Sequence, residues 1–253
     1  MRLLVLALAA LSLNAQVNFY SREKEAALGA QLAAEATKDT TPLGSAAAAD
    51  YINKVVRRLA VAMPNQSYTF TIALVKDDLG GSTHEPTALP AGYIFVPAGL
   101  LLAAQNEAEL AGMLAHAMVH VTSRHYTQLA TRTELAQIGT YPLHPLSPLN
   151  PRDNPWAVPA PMLAIMRSFE RQADYVAAAT AAAAGYDPAA FAAYISRTQT
   201  DQPDPFAALP NRADRIAGIE QAIKAIRRMG PHDYAPTGAE FAQIQAEVRK
   251  LTP

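Results

Sequence analysis

No cysteine occurs in the 253 residues, which excludes disulfides, thiolate metal sites, cysteine nucleophiles and a lipid-modified N-terminal cysteine. Any metal must therefore sit on histidine and carboxylate. An excess of either charge is missing too: 21 Lys and Arg stand against 22 Asp and Glu, so no broad basic field draws the chain to nucleic acid or anionic lipid. No run past the N-terminus reaches the roughly 18 uninterrupted apolar residues of a membrane span, because even the alanine-rich stretch from Ala177 is broken by Thr180, Gly185 and Asp187. No repeat period emerges, which sets solenoids aside.

What is present begins with Arg2, an apolar run over 3–13 and the small residue Ala15. This is the layout of a secretory signal, with cleavage expected near Ala15; the alternative is an uncleaved N-terminal anchor. Residues 1–15 are thus expected to be removed, leaving 16–253 as one exported, periplasmic or extracellular domain without a stable transmembrane anchor. That length can bury a full core without staples.

The chemistry centres on residues 107–125, EAELAGMLAHAMVHVTSRH. His116 and His120 are spaced i and i+4, which stacks them one turn apart on one helix face, the grip a zinc helix needs. A hydrolytic zinc helix reads H-E-x-x-H, its glutamate taking a proton from the attacking water. Here that place holds Ala117. Fifty positions beyond His120, Glu170 and Asp174 form a second i, i+4 pair on another helix. One of these acids can ligate the metal while the other accepts the N–H of a ligand imidazole.

Around these helices the sequence predicts further ones at 21–36, 46–63, 162–184, 188–197, 213–229 and 237–251, with Ser21 and Asn106 as caps. The zinc helix is expected to run on through His125 to about Ile138. Strands are predicted at 68–75 and 93–96, and the proline-dense stretch 141–161 reads as a long loop. The fold class is α+β: helix-rich, with a small sheet beside the zinc helix.

In these motifs the chain resembles family forty-eight of the metallopeptidases, the gluzincins that include HtpX-like, Oma-type and BepA-like proteins. The resemblance rests on 88–96 (ALPAGYIFV), 106–111 (NEAELA), the zinc helix with Arg124 and His125, Glu170 to Asp174, 184–188 (AGYDP) and Asp214-Arg215-Ile216. It implies one zinc ion held by His116, His120 and Glu170, with Asp174 orienting His116. It also implies that extended polypeptide lies along an edge strand near Glu85, Pro86, Ala88 and Leu89, and that Arg215 stabilises an oxyanion. A surface ion pair of Arg215 with Asp214 or Glu220 is the competing reading.

The chain departs from the family's pattern at Ala117, where the catalytic glutamate belongs, and at Pro86, Ala91 and Leu209. His144 in the proline loop is the remaining candidate to cap the metal. Glu85 can stand in as base only by reaching within about 3 Å of the water, and a solvated loop glutamate is the plainer reading. Several local rules broken together favour accumulated change over a single Glu-to-Ala replacement. The expectation is a cell-envelope metalloendopeptidase relative with lost or reduced activity, a pseudopeptidase; the alternative is a non-cleaving polypeptide-binding or chaperone-like module.

Overall fold

The structure is a computed structural model that describes residues 18–76, 83–138, 160–200, 207–236 and 238–252. The expected signal segment and His144 lie outside them.

Helix α1 (Arg22–Asp39) starts where Ser21 accepts the Lys24 N–H, with Glu23 and Glu25 in the first turn against the positive end of the helix dipole. Helix α2 (Ala46–Ala62) is capped by Ser45 and buries Tyr51, Ile52, Val55, Val56 and Leu59, the side its apolar spacing marks out. Strand β1 (Thr71–Val75) follows. It is shorter than the predicted 68–75 because its parallel partner β3 (Tyr93–Pro97) begins at Tyr93, opposite Thr71. The chain enters β3 through a 3₁₀ turn over Pro90–Gly92. Gly92 sits at φ 103, and a Cβ there would lie 2.1 Å from the Thr69 carbonyl oxygen, so only glycine lets the two segments pass.

Strand β2 (Thr87–Ala88) pairs antiparallel with the other side of β3, giving the order β1-β3-β2 with β2 at the edge. The short helix α3 (Ala98–Ala103) then leads to α4 (Glu107–Thr122), capped by Asn106. Helix α4 is buried on nearly all sides, packed on α6 (Ala160–Ala183), α7 (Pro188–Thr198), α2 and the β2 edge. Gly112 makes room for Phe191 of α7, whose Cβ would lie 2.5 Å from an added Cβ.

The zinc helix does not continue to Ile138. It stops at Thr122, and a separate helix α5 (His125–Ile138) starts after Arg124 takes the left-handed conformation at φ 59. Tertiary contacts hold that residue there: Arg124 Nε meets Glu25 Oε2 at 2.8 Å and Nη2 donates to the Tyr20 carbonyl at 2.5 Å. Helices α8 (Arg212–Arg227) and α9 (Ala239–Leu251) complete the chain, close to their predicted spans. Pro161, expected in the loop, lies in the first turn of α6, where its missing N–H costs nothing. One hydrophobic core joins α2, β3, α4, α6, α7, α8 and α9. No helix among the described residues is long and apolar enough to cross a membrane.

Candidate metal centre

Helix α4 carries His116 and His120 one turn apart, and α6 packs across it to bring Glu170 onto both rings. His116 Nε2 and His120 Nε2 lie 3.1 Å apart. Glu170 Oε2 stands 3.2 Å from the first and 3.5 Å from the second. Ligand atoms about 2.0–2.1 Å from a tetrahedral zinc ion are separated by about 3.3 Å, so this triangle has the size zinc requires. Glu170 Oε2 is buried and faces the two ring nitrogens, as suits an atom aimed at a cation. The residues fit a zinc ion.

Behind His116 stands a chain of charge. Its Nδ1 meets Asp174 Oδ1 at 2.9 Å, and Arg215 grips the same carboxylate twice, Nε to Oδ2 at 2.9 Å and Nη2 to Oδ1 at 2.8 Å. Arg215 Nη1 donates to Glu85 at 2.5 Å. Both Asp174 and Arg215 are 0% exposed. Burial alone raises a carboxyl pKa, yet the Arg215 charge holds Asp174 below its usual value. Burial likewise opposes charge on His116, but hydrogen bonds to Asp174 and Glu170 push its pKa up to about 10. A cation entering the site displaces that proton, so binding is coupled to pH.

This placement corrects two readings of the sequence. Arg215 is neither on the surface nor turned to an open cleft: its guanidinium is sealed between Asp174 and Glu85, while Asp214 pairs with Asn211. Glu85 is no solvated loop acid but is half-buried in that ion pair, which removes it as a free base.

His120 is served differently. Its Nδ1 faces His125 Nδ1 at 3.2 Å, and His125 Nε2 faces Gln172 Oε1 at 3.3 Å. His125 stacks on Phe169 with ring centroids 4.3 Å apart and planes 7° from parallel. Burial, then the neighbouring His120, lowers its pKa to about 3, so it is neutral. The sequence hides this contact. On a continuous helix a residue five places on lies about 140° round from His120; only the break at Arg124 swings it back.

Residues 46–223 match Peptidase family M48. The chain belongs to peptidase family M48. Members of M48 are zinc metallopeptidases, in keeping with the ligand triangle. A relative in Vibrio cholerae serotype O1, named as a beta-barrel assembly-enhancing protease, is 28% identical over 222 residues. The match takes in 78% of this chain and 45% of that protein, so the chain spans about half the length of this M48 relative.

Against that M48 background the surroundings of the ligands depart from the family's pattern. Ala117 follows the first ligand, is 1% exposed and presents a methyl group. Pro86 is buried just ahead of β2, whose Thr87 and Ala88 pair with β3. Ala91 is held at φ 63, a conformation that favours glycine. Leu209 offers no ligand atom, and the next residue, Pro210, accepts a hydrogen bond from Gln199 through its carbonyl. A cavity of about 150 Å³ remains beside the ligands, lined by Leu89, His120, Leu129, Met166, Phe169 and Glu170 among others.

Proposed function

We propose that this chain is a zinc-holding M48 protein of the cell envelope that takes extended polypeptide at the β2 edge and cleaves it slowly or not at all. The observation that carries this reading is a complete ligand triangle whose neighbouring position 117 is a methyl group. The Vibrio cholerae relative, by its name, works on β-barrel assembly, and the expected signal segment favours the same compartment. Nucleic acid is not among the expected partners.

Bound zinc supplies a Lewis acid toward a scissile carbonyl and an attacking water. The protein's own part is positional. Asp174 keeps the His116 proton on Nδ1, leaving Nε2 bare for the metal, and Arg215 keeps Asp174 ionised. The β2 edge offers backbone groups to an extended chain, and Ala88 and Leu89 bring that edge to the cavity beside His120 and Glu170. Among the described residues none is then placed to carry the proton from water to the leaving amine. Ala117 cannot, and Glu85 is neutralised by Arg215. General acid–base assistance is worth about 10²–10⁴-fold, and its loss sets the scale of the deficit.

The test is Ala117→Glu. It is expected to raise chelator-sensitive cleavage of unfolded casein by about 10²-fold or more, while both proteins hold one zinc by metal analysis. A folded, zinc-loaded variant with no gain would give first place to the second reading, a non-cleaving polypeptide-binding or chaperone-like module. The burial of Glu85 in an ion pair favours that alternative.

A further inference from the structure

We propose that His125 is a positioning residue for the second metal ligand, and that with Gln172 it locks His120 in the tautomer that offers Nε2 to the metal. The proposal rests on the metal-centre reading above. Two imidazole nitrogens 3.2 Å apart share one proton, so one must donate and the other accept. His120 Nε2 points at Glu170 and His116 and has to be bare to ligate, which puts the His120 proton on Nδ1. His120 therefore donates and His125 Nδ1 accepts. A neutral His125 then carries its own proton on Nε2, and there it finds the Gln172 amide oxygen at 3.3 Å. Every donor along the line meets an acceptor in this arrangement. The reverse tautomer of His125 would set two N–H groups against each other.

Its fixation is as telling as its hydrogen bonds. His125 is 4% exposed and is clamped flat on Phe169, which immediately precedes the third ligand, Glu170. The left-handed residue before it, Arg124, is pinned by Glu25 and Tyr20 from the start of the chain. A purely packing residue needs neither the nitrogen facing His120 nor the exposed amide of Gln172 at its far side. His116 thus has an ionised partner and His120 a neutral one, which steadies the second ring without adding a further negative charge.

The experiment measures zinc affinity by chelator competition, the visible spectrum of the cobalt-loaded protein and the melting of the metal-free chain. His125→Phe keeps the stack and removes the acceptor; it is expected to weaken zinc binding about 10–100-fold and to alter the cobalt spectrum. His125→Asn, whose side-chain oxygen can replace Nδ1 as acceptor, is expected to recover most of that loss even if it melts earlier. Gln172→Lys, at an exposed position and safe for folding, sets an N–H donor against Nε2 and is expected to weaken zinc several-fold, with Gln172→Met milder. Zinc affinity unchanged within about twofold in a folded His125→Phe, or equal losses in the Phe and Asn variants, would overturn the proposal. If His125→Phe does not fold, unchanged affinity in Gln172→Lys overturns it. A wild-type chain that binds no zinc would overturn the metal reading itself, a result distinct from a zinc-binding wild type indifferent to residue 125.

Discussion

On the wall of the cleft formed by α4, α6 and α8, each metal-facing ring is backed by a partner, and those partners are themselves held: Asp174 by Arg215, His125 by Gln172 and Phe169. On the facing side the stretch 85–92 has only a two-residue strand at the edge, and it includes an alanine where the backbone wants glycine. The difference tracks how each residue is wired into folding. Changing Arg215 or Asp174 strands a buried charge, whereas Ala117 fills its place in the core without loss. The residues behind the ligand triangle are therefore tied to the core by buried charge, while position 117 is not.

Three experiments, in falling order of effect, press on that contrast. Arg215→Met leaves Asp174 and Glu85 without their shared counter-charge and is expected to cost about 3–5 kcal/mol in urea unfolding; a loss near 1 kcal/mol would show the metal wall to be no more tied to folding than the other. Acid should loosen the metal wall next. In the metal-free chain His125 has its pKa depressed from 6.5 to about 3, so the unfolded chain binds the extra proton and stability falls as pH drops through that window. The expected loss is about 2 kcal/mol between pH 6.5 and pH 5, absent in His125→Phe. His116, with its pKa raised, works in the opposite sense: its contribution is whole below 6.5 and fades as pH rises toward about 10. Asp174, whose pKa is depressed, contributes above the ordinary carboxyl range and is lost only at lower pH still. Smallest is Ala91→Gly on the altered side, expected to stabilise by about 1 kcal/mol by relieving a left-handed alanine.

Much of this architecture is legible from local rules. The caps at Ser21 and Asn106, the apolar face of α2 and the two i, i+4 pairs depend on neighbours within a turn or two, and they stand where the spacing puts them. What escaped depends on distant partners. The extent of β1 is set by where β3 begins. The end of α4 is set by Glu25 and Tyr20 holding Arg124, and with it goes the role of His125. Arg215 reads as a surface residue because it follows an N-cap and an aspartate on a polar first turn, yet it is the largest fully buried side chain among the described residues.

Distance along the chain gives the metal centre a place in time. The pairs that finish it are separated by 41 positions for Asp174 and Arg215, 104 for Tyr20 and Arg124, and 130 for Glu85 and Arg215. Closing such loops precedes any reward from the contacts they make, so long-range pairings form late and slowly. The two histidines meet as soon as one helix forms, but their supports arrive only when the first and last thirds of the chain have docked. Zinc uptake at the proposed site is therefore expected to report the final stage of folding: in a refolding experiment it should lag the recovery of helix signal.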